Sequence, residues 1–336
     1  MLQRRRVAIA TIIGMAGLIA ILVSIVLSVI LGYADIKLQV IWDALFHFDP
    51  ANREHLVIQT IRLPRVFAAG IVGTCFAVTG AMMQGMTRNP LADSSLLGIN
   101  AGAGLVLALS FAYLTNVSYN FILLLSIFGA AVGAALIYGI GFAGKNNSSS
   151  LRLVLAGAAV TALFNGLNEG LSLYFGIGQN IAFWYASGVS RVTWSQIVYV
   201  TPWFVAGLVC ALVLSRSVTI LSIGEDNARS LGLKIGQLKL VIAVVVLVLA
   251  GISVALVGGV GFVGLIVPHL VRKLVGQDYR LVIPCSAVLG ALLVILADLF
   301  ARTMNPPFEI PLSAVTAALG VPFFLYLVRK GGRMER

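Results

Sequence analysis

Residues 241–249 read VIAVVVLVL, an unbroken apolar run whose period settles what kind of protein this is. A strand of a membrane barrel keeps one face in water and alternates in polarity over about ten residues, whereas this run is apolar on both faces. Residues 291–297, ALLVILA, show the same pattern. The bias extends through the chain: 60% of its 336 residues are hydrophobic, and the mean hydropathy is +1.01. Soluble domains hold about 45–50% apolar residues. A bilayer core about 30 Å thick takes about 20 helical residues per crossing, so the chain has room for about eight to ten crossings. The expected fold is all-α, a polytopic membrane protein of about ten transmembrane helices in one domain over residues 1–336.

The apolar runs fall at 8–31, 64–84, 92–113, 121–142, 152–174, 196–215, 238–257, 261–275, 281–299 and 311–328. The first follows Arg4, Arg5 and Arg6 as the apolar part of a signal peptide would, but it exceeds the 7–15 residues of such a region and is read as a retained span. The short eighth run, with interruptions at Gly258 and Gly259, at Pro268 and at Asn89 and Pro90, implies broken helices. A membrane accepts these only where protein or a cavity covers the freed backbone. Glycines four apart (Gly98 and Gly102, Gly129 and Gly133, Gly166 and Gly170) are expected to let helices approach closely.

A net charge of +11 would suggest nucleic acid in a soluble protein. With a cytoplasmic N-terminus and ten spans, however, only Lys37, Arg53, Arg62, Arg65, Arg191 and Arg302 fall outside, leaving 17 of the 23 basic residues inside. That is the positive-inside bias, so the charge reports orientation and no nucleic-acid partner is expected.

Several short patterns carry no chemistry. Residues 139–146, GIGFAGKN, come one residue from a phosphate loop, but no strand precedes them and Asn146 replaces the magnesium-holding hydroxyl. Residues 259–264 match GxGxxG without the strand-turn-helix unit that holds a dinucleotide. Cys75, Cys210 and Cys285 lie in apolar runs without ligand spacing, and His47, His55 and His269 are far apart and lack neighbouring carboxylates. No metal site, cofactor or catalytic constellation is expected. Glu169 is the one candidate for an ionisable group near mid-membrane, either a hydrogen-bonded or pathway-facing carboxylate or a proton relay. Asp298 is expected to pair along its helix with Arg302. Residues 224–236, GEDNARSLGLKIG, form a charged stretch between the sixth and seventh runs, which charge alone would read as a solvated loop.

Several longer motifs occur together in one order: IRLPR at 61–65, NPLAD at 89–93 followed by Leu97 and Gly98, GEDNARSLG at 224–232, GFVGLIVPHLVR at 261–272, the pair Asp298 and Arg302, and EIPLSAVTAALGVPFF at 309–324. From about Ile58 onward the sequence resembles the permease subunits of the iron-siderophore and cobalamin class of bacterial ABC importers. It departs from them at Ser94, where proline is usual, at Tyr279, where histidine is common, and at Ser313, where glycine is common.

The resemblance implies the type II importer permease fold with ten helices, in the bacterial plasma membrane with both termini cytoplasmic. It also implies a second permease subunit, identical or paralogous, two cytoplasmic ATPase subunits, and an extracellular or periplasmic binding protein that delivers the ligand. The chain would then be a transport subunit without its own ATPase site, carrying a ferric siderophore, with haem or cobalamin as alternatives. An ion-coupled secondary transporter is the rival reading from composition alone. Residues 216–237 would be coupling helices, with Gly224, Glu225, Ala228, Arg229, Leu231 and Gly232 at the ATPase contact. Two short helices are expected there, one held rigid by Glu225 and Arg229 at i and i+4. Arg62, Arg65 and Arg302 would receive acidic residues of the binding protein, against the plainer reading that they snorkel to membrane lipid. Asn89, Leu91 and Ser150 would form the cytoplasmic gate.

Overall fold

The computed structural model describes residues 2–31, 36–93, 98–114, 118–142, 150–306 and 308–331. Its elements, in chain order, are α1 (Leu2–Ile30), α2 (Leu38–Phe46), α3 (Arg53–Val57), a π turn (Ile58–Arg62), α4 (Leu63–Thr87), α5 (Ile99–Tyr113), α6 (Tyr119–Phe142), α7 (Ser150–Tyr174), α8 (Gly178–Ser187), α9 (Trp194–Ile223), α10 (Glu225–Ser230), α11 (Ile235–Val257), α12 (Val263–Val275), α13 (Tyr279–Thr303) and α14 (Leu312–Gly331). The apolar run 241–249 lies in α11. Its β-branched residues are indifferent helix formers, but with no water to bond the peptide groups a helix satisfies every one of them internally.

Each of the ten apolar runs holds a helix, and among the described residues six helical stretches are long and apolar enough to cross a membrane: Gln3–Ile30, Arg53–Thr87, Tyr119–Ile137, Trp194–Ile223, Ile235–Val257 and Tyr279–Thr303. Burial sorts them into layers. The apolar window of Arg53–Thr87 is 83% buried, against 22% for α1 and for α9, which makes α4 the core and leaves the other two facing outward. Around α4 pack α13, α11, α9 and α12; α1 lies on α13, and α5, α6 and α7 form a second group joined to the first through α11.

Glycine sets the closest of these contacts. A Cβ on Gly80 would lie 2.0 Å from the carbonyl oxygen of Gly264 on α12, and one on Gly102 would lie 2.3 Å from that of Gly129 on α6. The expectation for Gly98, Gly102, Gly129 and Gly133 therefore holds. Gly166 and Gly170 differ, because nothing lies within 4 Å of either Cβ position, and they do not pack helices within this chain.

Three boundaries depart from expectation. The helix containing IRLPR starts at Arg53, well before the expected residue 64, and passes through the π turn. There the Leu63 N–H bonds to the Ile58 carbonyl and Pro64 has no N–H, so the Gln59 carbonyl is free to accept the indole N–H of Trp194 at 2.6 Å. Asn89 and Pro90 do not start a helix: Asn89 Oδ1 accepts the Leu91 N–H at 2.9 Å in a tight turn, and α5 begins only at Ile99. The sixth run extends to Ile223, so residues 216–223 belong to α9, and of the two short helices expected over 216–237 only α10 forms. Gly236 lies in the first turn of α11.

Candidate functional site

Where α1 ends, three arginines converge. Arg62 donates to the Ile30 carbonyl at 3.0 Å and also to that of Val29. Arg302 donates to the Ser28 carbonyl at 2.6 Å and to the Ser28 hydroxyl. Both cations therefore cap the carbonyl-rich C-terminus of α1, where the helix dipole favours positive charge. Arg65 turns to α13 and holds Asp298 through paired bonds of 2.8 and 3.0 Å, while its remaining arm reaches Glu309 at 2.8 Å. Asp298 therefore pairs across helices with Arg65 and not along its own helix with Arg302. Arg62, Arg65 and Arg302 are 6%, 6% and 8% exposed, so they form one cluster, but an inward-facing one that offers neither a lipid anchor nor a bare docking patch.

The opposite ends of α9 and α11 carry α10. Gly224 at φ 148° and Gly232 at φ 82° allow the chain to turn sharply on either side of it. The Leu233 N–H returns to the Ala228 carbonyl at 3.0 Å and the Gly232 N–H to that of Arg229 at 2.9 Å, the pair of hydrogen bonds that ends a helix on a left-handed glycine. Ala228 is fully buried beneath the helix, while Leu231 is 67% exposed. Glu225 bonds to Lys239 of α11 at 2.7 Å, with Arg88 at 3.9 Å. This corrects the expected pairing with Arg229, whose nearest carboxylate is Asp226 at 3.7 Å. The Lys239 hydrogen bond holds the Glu225 carboxyl below its usual range.

Arg88 also opens the turn containing Asn89 and Leu91, in a left-handed conformation at φ 53°. That turn and α10 are thus electrostatic neighbours. Behind them, the fully enclosed Gln84 bridges α4 and α12, donating to the Gly264 carbonyl at 3.0 Å and accepting from Arg272. Ser150 begins α7, but its side chain lies outside the described residues, as do Ser94 and Leu97.

Between α5, α7 and α8, beside the break that separates α11 from α12, lies a cavity of about 570 Å³. Its lining includes Asn100, Thr161, Asn165, Asn168, Glu169, Ser172 and the backbone at Gly259. Asn100 Oδ1, Thr161 Oγ1 and Asn168 Oδ1 are shielded from the surface yet have no hydrogen-bond partner among the described residues. Polar groups placed so are completed by water or by something that enters.

The FecCD transport family matches residues 20–330 of the chain. The chain belongs to that family. It is 44% identical over 324 residues to the iron(3+)-hydroxamate import system permease protein FhuB of Bacillus subtilis (strain 168), covering 96% of this chain and 84% of that protein. To the iron-uptake system permease protein FeuB of the same organism it is 38% identical, over 94% and 95% of the two chains. A solved structure described as an inward-facing conformation of a metal-chelate type ABC transporter superposes with a TM-score of 0.80 at 29% identity, covering 95% of this chain and 99% of the other. This FecCD chain is thus an all-α membrane permease of the ABC-importer type.

In this FecCD chain Arg62, Arg65 and Arg302 converge as their motif positions implied, but with partners that the sequence did not mark. Lys239, Arg88 and Ser28 carried no signal, since each is an ordinary residue until the fold places it. The polar side of α7 was legible: Asn165, Asn168, Glu169 and Ser172 recur at helical spacing within an otherwise apolar run, although only Glu169 was singled out.

Proposed function

We propose that the chain is the transmembrane subunit of an ATP-driven importer of a ferric siderophore. In this reading the chain pairs with a copy of itself or a paralogue around a central path. Separate cytoplasmic ATPase subunits do the work, and an external binding protein supplies the chelate. Both termini and α10 then lie on the cytoplasmic side of a bacterial plasma membrane, with the arginine cluster on the other. The names of FhuB and FeuB support an iron chelate over cobalamin.

The observation that carries the reading is α10 itself. It is a capped six-residue helix between two long helices, with Ala228 buried on one side and Leu231 and the Arg229 side chain two-thirds exposed on the other. In this reading the exposed leucine on this capped, charged protrusion enters a partner's cleft. Residues 216–237, with Gly224, Glu225, Ala228, Arg229, Leu231 and Gly232 at the centre, are the proposed ATPase contact. The Arg88 link supports Asn89 and Leu91 as part of the proposed cytoplasmic gate, to which Ser150 at the start of α7 is also assigned. The binding protein docks over Arg62, Arg65 and Arg302, whose guanidinium groups reach a partner's carboxylate by releasing Ser28, Ile30 or Glu309.

Reconstitution with the ATPase and binding protein in proteoliposomes tests this. Leu231→Asp, and Gly232→Pro at a φ that proline cannot adopt, should lower chelate-stimulated ATP hydrolysis and uptake about tenfold, a loss of roughly 1.4 kcal/mol in coupling. Uptake driven by an ion gradient without ATP would instead establish a secondary transporter.

A further inference from the structure

We infer that the cavity between α5, α7 and α8 selects the permeating chelate by charge, admitting neutral or cationic ferric complexes rich in amide groups and rejecting anionic ones, with Glu169 as the discriminating residue. The inference rests on the importer reading above and goes further by assigning a substrate class and a site.

The volume, the lining and the loose ends of that lining agree. About 570 Å³ is the size of a pocket that takes a small organic ligand. Asn100 on one wall faces Thr161, Asn165, Asn168 and Ser172 on α7, and these side chains both donate and accept. The three shielded oxygens without partners point to a visitor that brings hydrogen-bonding groups with it. Hydroxamate chains, with their repeated amides, bring them. Three hydroxamates each lose one proton on binding iron(3+), so their complex is neutral overall. Citrate and catecholate complexes of the same metal retain net negative charge.

The electrostatics point the same way. Among the described lining residues Glu169 is the only ionisable one, and no lysine or arginine balances it. It is exposed and makes no hydrogen bond or ion pair among the described residues, so its charge is free to act on whatever occupies the cavity. A like charge a few ångströms away lies well inside the screening length of about 8–10 Å at physiological salt, so an anionic complex meets repulsion that a neutral one does not. A negatively charged chelate would call for a basic residue in the wall, and the described wall has none.

One trihydroxamate scaffold supplies the test, since linear desferrioxamine with its terminal amine free, acetylated or succinylated gives ferric complexes that are cationic, neutral or anionic at almost constant shape. Binding of each to the purified permease–ATPase complex without the binding protein, and uptake with it, are measured for wild type, Glu169→Gln and Glu169→Lys. We expect wild type to prefer the cationic and neutral forms over the anionic one by about tenfold. Glu169→Gln should remove most of that ratio while leaving the neutral form unchanged, and Glu169→Lys should invert it. Asn168→Leu should weaken all three alike. Because Glu169 is exposed and unpaired, its variants are expected to fold, and their elution as a monodisperse complex checks that. Equal ratios in wild type and Glu169→Lys, with transport intact, overturn the charge filter and leave the importer standing. A wild-type complex that moves none of the three but carries an anionic citrate or catecholate complex of iron(3+) at the expense of ATP overturns the filter alone, and one that hydrolyses ATP but moves no ferric chelate overturns both.

Discussion

Arg65 shows what a single ionisable residue demands at the end of a helix bundle. Its guanidinium satisfies Asp298, itself 2% exposed, and the two charges tolerate burial only as a pair. Arg65→Met should therefore destabilise the purified protein by about 3–5 kcal/mol, read as a lower thermal midpoint in detergent. Adding Asp298→Asn should recover part of the loss, because the stranded carboxylate is gone; losses that simply add would show that the two residues are not coupled. Geometry also changes how a docking experiment must be designed. Glutamates at positions 62 and 302 would face the carbonyl oxygens that end α1, so charge reversal there tests the fold before it tests a partner. The motif spacing in the sequence was enough to gather these arginines. Their inward orientation was not, because the atoms they cap are backbone oxygens in an apolar run that no side chain advertises.

For whole elements, close glycine contacts separate the rigid parts from those left open. Gly80→Ala places a methyl group 2.0 Å from a carbonyl oxygen of α12, and backbone on both sides must move. Gly166→Ala meets nothing, and the helix should gain about 1 kcal/mol from the better helix former. Thermal unfolding of the two variants in detergent should thus diverge, the first falling and the second holding or rising; a stable Gly80→Ala would show that α4 and α12 part easily. Most elements were legible because long apolar runs in lipid have few alternatives to a helix. The exceptions have local causes. Arg53, Glu54 and His55 hid the polar start of the helix that becomes α4, and α8 is too short and too mixed in character to stand out. The end of α9 carries Ser217, Thr219 and Ser222, whose hydroxyls made a continuing helix look like a loop; those of Thr219 and Ser222 bond back to carbonyls one turn earlier.

Across the whole molecule, the proposed gate and the proposed motor contact lie at one end and the arginine cluster at the other. Cysteine at Leu91, which is half-buried, should label with a maleimide to different extents with and without a trapped nucleotide state; equal labelling in both would make its turn a static part. The background needs only Cys210 replaced, because Cys75 and Cys285 are buried and Cys210 alone is exposed. How the helices group around α4 was not legible, since single runs give membership and not neighbours. The Trp194 bond to the carbonyl freed by the π turn gives this arrangement a mechanical meaning. It anchors the start of α9 to the segment bearing Arg62, and α9 then continues for 30 residues, about 45 Å, to the glycine that holds α10. Its only internal proline, Pro202, lies near the anchored end, so the rest of its length has no built-in joint. Helix α9 is thus placed as a strut between the two ends of the protein, and a tilt imposed at Ile223 is expected to reach Gln59 as leverage.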